Sequence, residues 1–256
     1  MGAGHAHALH VHGHSPVHRM APEAKVVAVV AFVLAVALTP REALWVFALD
    51  AAALLAIARL AGVRYRFLFA RMLVVLPFVL FALALPFVAS GERTEVLGVS
   101  VAVEGLWGMA TILSRSLLGV AASILLAATT EVPRILRGLE RLRVPPVLTQ
   151  IAAFMLRYLE VITGELGRMR RAMTARGYDP RWLWQARPIA ASAGALFIRS
   201  YERGERVHAA MLARGWDGTM PDLVADRASA ADWARAALLP ALALTLAVTA
   251  LLLQGA

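Results

Sequence analysis

The chain of 256 residues contains no cysteine, and only one of its 26 basic residues is a lysine, Lys25. Without cysteine the chain can form no disulfide, no thiol nucleophile and no thiolate metal site. It also lacks the Gly-x-x-x-x-Gly-Lys-Ser/Thr loop with which many ATPases hold phosphate groups. These two absences exclude cysteine chemistry and phosphate-loop hydrolysis by this chain.

Apolar residues make up 60% of the sequence, and the mean hydropathy of +0.67 is far above that of an ordinary soluble domain. The net charge of +9 is carried by arginines that stand beside apolar runs. This placement favours membrane topology and contact with anionic lipid over binding of nucleic acid. Apolar runs near the length of about 20 residues that a bilayer requires predict five membrane spans, at 26–38, 43–60, 67–89, 106–130 and 236–253.

The arginine distribution predicts how the spans are oriented. Arginines are frequent between the second and third spans and throughout 131–232, but rare in 39–42 and 90–104. By the positive-inside rule the N-terminus is then cytoplasmic. The predicted fold is an all-α membrane protein. Its parts are a His-rich tail (1–20), transmembrane helices 1–4 (21–130), a cytoplasmic module with two long amphipathic helices (131–232) and a C-terminal span (233–256).

A repeated octapeptide lies at the ends of the two long helices. Ala-Met-Thr-Ala-Arg-Gly-Tyr-Asp at 172–179 returns at 210–217 as Ala-Met-Leu-Ala-Arg-Gly-Trp-Asp. An arginine near a helix C-terminus and a glycine after it are typical of simple capping. The shared flanking residues favour a second interpretation, in which each end docks into a partner's groove through a small-residue face and a planar guanidinium. The predicted docking residues are Ala175, Arg176, Gly177, Ala213, Arg214 and Gly215.

Two further groups of residues are candidates for function. The tail histidines are close enough in sequence to share a divalent ion such as cobalt or nickel, although a flexible, weakly chelating tail has the same composition; they are His5, His7, His10, His12 and His14. Asp50 and Arg115 are ionisable groups inside predicted spans. Because isolated charges are costly there, we expect the two to form a buried pair that fixes helix packing, with an ion relay as the alternative.

The sequence resembles the transmembrane T component of energy-coupling factor (ECF) transporters, and most of all the cobalt-transport type, CbiQ. Residues 15–25, Ser-Pro-Val-His-Arg-Met-Ala-Pro-Glu-Ala-Lys, are similar to the opening Ser-Pro-Leu-His-Arg-Leu-Asp-Pro-Arg-x-Lys of that family, with Ala21 and Glu23 in place of Asp and Arg. Thr129-Thr130, Arg157-Tyr158-Leu159 and the two Ala-Arg-Gly ends also match. The resemblance covers nearly all of residues 15–256.

The resemblance implies a role in energy coupling within a bacterial cell membrane. Each Ala-Arg-Gly end would dock on one of two ATP-binding cassette subunits, which bind and hydrolyse ATP with Mg²⁺. The chain itself would then be a non-catalytic subunit, in agreement with its lack of a phosphate loop. The long helices would contact a separate substrate-binding (S) membrane subunit that takes up Co²⁺, or Ni²⁺. Two alternatives remain open at this point. One is a T component that serves a vitamin-binding subunit, and the other is a membrane enzyme or channel that uses Asp50 and Arg115.

Overall fold

A computed structural model of the chain describes residue 13 and residues 15–90, 93–96, 99–178, 182–218 and 227–255. The described chain is almost entirely helical, which confirms the all-α fold. The α-helices are α1 (Pro16–Arg19), α2 (Pro22–Leu38), α3 (Leu44–Leu60), α4 (Tyr65–Arg71), α5 (Leu76–Val88), α6 (Val103–Thr129), α7 (Val132–Arg141), α8 (Pro146–Ala175), α9 (Arg187–Leu212) and α10 (Ala230–Gly255). Met72–Val75 and Leu183–Ala186 are short 3-10 helices.

A small β-hairpin lies in the stretch that the sequence predicts as an irregular loop. Its strands, β1 (Arg93–Val96) and β2 (Val99–Ala102), pair antiparallel, with Arg93 opposite Ala102. Nearby, the Arg41 guanidinium lies 2.7 Å from the Glu104 carboxylate and joins the α2–α3 turn to the start of α6. Both side chains are more than half exposed, so this ion pair adds little stability.

Four helical stretches in the described chain are long and apolar enough to cross a membrane: Tyr65–Val88, Val103–Thr129, Pro146–Ala175 and Ala230–Gln254. The first, second and fourth coincide with the third, fourth and fifth predicted spans. The first two predicted spans lie in α2 and α3, which have 17 residues each. At about 1.5 Å per residue these helices are roughly 26 Å long, slightly less than the hydrocarbon thickness of about 30 Å. The third stretch is α8, which the sequence predicts as an amphipathic coupling helix.

The chain divides into two compact units. The smaller unit contains the described residues between 143 and 225, and the larger one contains those from 9 to 142 and from 226 onward. Within the larger unit, α7, which the sequence groups with the 131–232 module, packs closely on α2. At Gly138 a Cβ atom would lie 2.9 Å from the backbone nitrogen of Glu23. The missing side chain lets α7 pack directly on the start of α2.

The core of the larger unit is formed where its helices meet. Phe32, Leu54, Leu68 and Leu125, from α2, α3, α4 and α6, are almost fully buried together with Ala243 of α10. A second, smaller cluster joins α3 to α10 through Ala43, Val46 and Ala250. Small residues allow close helix packing in such a bundle. The core thus fixes the ends of α2, α3, α6 and α10 relative to one another.

Candidate partner-docking ends and their support

Both copies of the repeat end their helices with the same hydrogen-bonded cap. At the first end the Tyr178 amide donates to the Met173 carbonyl (3.1 Å) and the Gly177 amide donates to the Thr174 carbonyl (3.0 Å). At the second end Trp216 donates to Met211 (3.0 Å) and Gly215 donates to Leu212 (2.9 Å). These are the two bonds of a Schellman motif, which requires a left-handed residue after the helix. Gly177 (φ 79°) and Gly215 (φ 81°) are in that conformation.

The two ends also share one pattern of exposure. From Ala172 to Tyr178 and from Ala210 to Trp216, the methionine and the aromatic residue are half-buried and the other five residues are exposed. The alanines predicted as small-residue faces, including Ala175 and Ala213, therefore face outward. Within the described part of the chain, neither the Arg176 nor the Arg214 side chain has a hydrogen bond or ion pair. Each end thus presents a rigid cap with an unpaired guanidinium.

One difference separates the two ends. The Tyr178 hydroxyl donates to the carbonyl of Gln185. In Trp216 the indole N–H is buried and has no acceptor within the described ranges, and the ring lies edge-on against His208 with ring centres 5.8 Å apart. Replacement of tyrosine by tryptophan in the second copy therefore leaves a free donor beside the Arg214 tip.

Three contacts show that α8 and α9 run antiparallel. The Gln150 amide donates to the Gly218 carbonyl (2.8 Å), Arg199 contacts Glu165 (2.6 Å), and Ser192 contacts the Met173 sulfur (3.5 Å). From the first of these contacts to the third, the residue numbers rise along α8 and fall along α9. The chain just after Gly215 therefore lies beside the start of α8, whereas Arg176 lies just beyond its far end.

This arrangement separates the two tips. At about 1.5 Å per residue, the 23 residues from Gln150 to Met173 measure roughly 35 Å along the helix axis. Glu165 helps to hold the pair together, because it also accepts from Arg168 at 3.1 Å and its side chain is only 14% exposed. The two Ala-Arg-Gly ends are therefore held far apart.

In the larger unit the only lysine joins the N-terminal motif to the end of α6. The Lys25 ammonium donates to the carbonyls of His18 (3.3 Å) and Thr129 (3.1 Å) and to the Thr130 hydroxyl (2.9 Å). An ammonium group has three donors, so all of them are used. Lys25 is 5% exposed, and its charge lies at the C-terminal, negative end of the α6 dipole. Lys25 thus joins two motifs that are 104 residues apart in the sequence. We call this cluster of His18, Lys25, Thr129 and Thr130 the Lys25 anchor.

The residues around Lys25 complete this anchor. The Ser15 hydroxyl caps α1 and lies 2.8 Å from the His18 ring nitrogen Nδ1. Glu23, which stands where the resemblance leads one to expect arginine, is 4% exposed. Its carboxylate accepts from the Ala228 amide (2.8 Å) and contacts Arg141 of α7 (3.5 Å). Glu23 therefore binds the start of α2 to both α7 and the segment that enters α10.

Asp50 and Arg115, which the sequence predicts as a buried pair, share no hydrogen bond in the described chain. Asp50 is fully buried in α3, and neither of its carboxylate oxygens has a hydrogen-bond partner among the described residues. The Arg115 guanidinium instead donates from Nη2 to the Thr39 carbonyl (2.7 Å), where α2 ends. Its Nε is buried and has no acceptor in the part of the chain that the structure describes. A carbonyl at a helix C-terminus lacks an intrahelical donor and can accept from an arginine, which helix spacing alone does not reveal. The histidines of the tail, His5, His7, His10, His12 and His14, lie outside the described residues.

The family model of the cobalt transport protein CbiQ matches residues 13–225 of this chain. The chain belongs to this family. The match includes the Lys25 anchor and both docking ends, so the features described above lie within the family's shared region. With its apolar helices, the chain is a multi-pass membrane protein.

Individual relatives agree with this assignment. The cobalt transport protein CbiQ of Rhodobacter capsulatus is 32% identical over 124 residues, which are 48% of this chain and 50% of that protein. A protein of Methanocorpusculum labreanum named as a fused cobalt transport protein CbiMQ is 31% identical over 43% of this chain, but over only 18% of its own length. The energy-coupling factor transporter transmembrane protein EcfT of Listeria innocua is 28% identical over 82% of this chain and 83% of that protein. The first two matches thus span half or less of those relatives.

Proposed function

We propose that this chain is the transmembrane T component of an energy-coupling factor importer for cobalt ions. In this role it hydrolyses nothing itself. Two partner ATPases, which bind ATP and Mg²⁺, dock on the Ala-Arg-Gly ends at Arg176 and Arg214. The movement of these ends reaches a substrate-binding membrane subunit that carries the metal ion.

The observation that carries the proposal is the cap geometry and exposure pattern that the two ends share. Simple capping requires only a glycine after each helix. It gives no reason for two unpaired arginines, two exposed alanine faces and two half-buried aromatic residues in the same arrangement. The separation of the ends by roughly 35 Å along α8 supports two receiving subunits, each with one equivalent groove.

The exposed face of α8 supports a contact with a third subunit. Val147, Ile151, Met155 and Leu159 recur every four residues and are 65%, 53%, 68% and 42% exposed. Residues at this spacing form one continuous helix face. An apolar stripe of this kind is suited to helix–helix contact with a membrane subunit or to burial in lipid.

Arginine replacement tests the docking. The chain is coexpressed with the two ATPases and the substrate-binding subunit, and wild type is compared with Arg176→Glu, Arg214→Glu and the double variant. Loss of a desolvated charge contact costs about 2–5 kcal/mol, or at least about thirtyfold in affinity. We expect each single variant to lose most of one ATPase on purification and the double variant to lose both, with uptake of radioactive cobalt abolished.

Arg171→Glu is the matched control, because it makes the same charge change on an exposed site of the same helix. We expect it to retain both ATPases and cobalt uptake. If the double variant retains the ATPases and transports like wild type, docking through these arginines is wrong.

Cobalt is the proposed cargo because the matching family and the Rhodobacter relative are named for cobalt transport. Uptake by the reconstituted complex is measured in parallel with labelled Co²⁺, Ni²⁺ and a panel of vitamins. Preference for Co²⁺ is the expected result. Uptake of a vitamin without metal uptake would contradict the cargo but leave the coupling role intact.

A further inference from the structure

A groove of about 480 Å³ lies within the larger unit, at the end where α3 and α6 finish and α2 and α10 begin. Its volume is within the range of roughly 300–1,000 Å³ that is usual for small-molecule sites. Apart from Lys25, Thr129 and Arg235, the described lining residues are aliphatic side chains, proline and methionine. No aromatic ring lines it in the described chain, so the groove is suited to a flexible alkyl chain rather than to a flat ring system.

The polar edge of the groove is cationic. Among the described residues the Arg235 side chain has no hydrogen bond or ion pair, and it is exposed. The Lys25 ammonium contributes its positive charge but no free donor, because all three of its N–H groups are used. The acid of α10, Asp232, accepts from the amide and hydroxyl of Ser229, and its negative charge acts on Lys25. Arg235 is thus left available for a planar, bidentate contact with a phosphate group.

Further arginines adjoin the lining in sequence. Arg19 precedes the lining residue Met20, Arg59 precedes the lining residue Leu60, and both are exposed. This end of the bundle is the one that the arginine distribution predicts to face the cytoplasm. The cytoplasmic leaflet carries the anionic lipids, and each arginine near it contributes about 1 kcal/mol of attraction, or about fivefold in binding constant.

We propose that the groove binds one anionic phospholipid, with an acyl chain along α2, α3, α6 and α10 and its phosphate on Arg235. An apolar membrane helix of a partner would fill the same groove but leave Arg235 without a counter-charge. The bound lipid contacts all four helices at the anchored end of the bundle and stabilises their packing. This inference does not depend on the proposed transport function.

The test is lipid binding to the purified full-length chain, measured by native mass spectrometry with phosphatidylglycerol and phosphatidylcholine of the same acyl chains. We expect wild type to retain one phosphatidylglycerol at least about fivefold more tightly than phosphatidylcholine. Arg235→Ala removes that preference. Arg66→Ala, at an exposed arginine outside the groove lining, retains it.

A second pair of variants tests the groove itself. Ala56 and Ala52 are both exposed on α3, but only Ala56 lines the groove. We expect Ala56→Trp to lower retention of both lipids at least about fivefold, and Ala52→Trp to bind both like wild type. Equal retention of the two lipids by wild type would overturn the proposal, as would wild-type binding by Ala56→Trp. A photo-crosslinker at position 56 that captures a protein rather than lipid in native membranes would also overturn it.

Discussion

At Gly177 and Gly215 the absence of one atom, Cβ, permits the helix ends that the repeat forms. Both glycines have φ near +80°, and nothing lies within 4 Å of where a Cβ would be. Space is therefore available, and the obstacle to a side chain is the backbone conformation. For an L-residue the left-handed conformation costs roughly 1–2 kcal/mol. Glycine at these positions is thus required by the cap and independent of any partner.

We expect Gly177→Ala and Gly215→Ala to loosen their own caps. Hydrogen–deuterium exchange of the peptides that cover 172–178 and 210–216 should rise about five- to thirtyfold, because the amides after each helix lose part of their protection. Gly194→Ala is the control, since Gly194 lies inside α9 with open space around it. That change should leave both ends unaffected and stabilise α9 by about 1 kcal/mol. Unchanged exchange at the substituted ends would contradict the role of the left-handed conformation.

At the scale of elements, the ends of α2 and α6 are held together by Lys25. Its three acceptors belong to His18 of α1 and to the end of α6, so one side chain of α2 ties three segments. The exposed Arg41–Glu104 contact, at the other end of α6, also joins distant segments but is solvated. Because the lysine contacts are buried, they contribute more to stability than the solvated pair does. Loss of the donor would leave buried acceptors unsatisfied, at the cost of their full desolvation penalty.

Lys25→Met keeps the length and apolar stem of the side chain and removes the donors. We expect the free energy of unfolding of the purified protein to fall by roughly 1–3 kcal/mol, because buried acceptors lose their partner. Chemical denaturation in detergent micelles measures this change. Arg19→Met removes the same charge from an exposed position nearby, and we expect a change of less than about 0.5 kcal/mol. Similar losses for both variants would mean that net charge, rather than the buried contacts, matters.

At the scale of the whole molecule, the arginine distribution predicts the orientation in the membrane. Because the natural chain contains no cysteine, each introduced cysteine reports on one position without background. We expect Thr94→Cys, in the exposed hairpin, to react with a membrane-impermeant maleimide in intact cells. Arg66→Cys, at an exposed site of α4, should react only after the membrane is opened. The opposite labelling pattern would reverse the topology.

The repeat shows how much local sequence can determine. Each Ala-Arg-Gly end was predictable as a capped helix terminus, since Gly177 and Gly215 follow long amphipathic patterns and only glycine readily adopts the required conformation. The all-α class and the longer spans were predictable for a similar reason. Length, apolar composition and helix-ending residues are properties of neighbouring positions, so their effect does not depend on which distant segments pack together.

Properties that depend on which distant segments meet were decided by the tertiary structure. The sequence alone does not show that Lys25 contacts Thr129 and Thr130. It also suggests Asp50 as the partner of Arg115, whereas in the fold Arg115 donates to the Thr39 carbonyl. The antiparallel pairing of α8 and α9, which separates the two arginine tips, arises in the same way. Chain order constrains such contacts only weakly, because closing a loop costs little more as the loop grows longer. Packing and buried hydrogen bonds then select among the arrangements that local sequence leaves open.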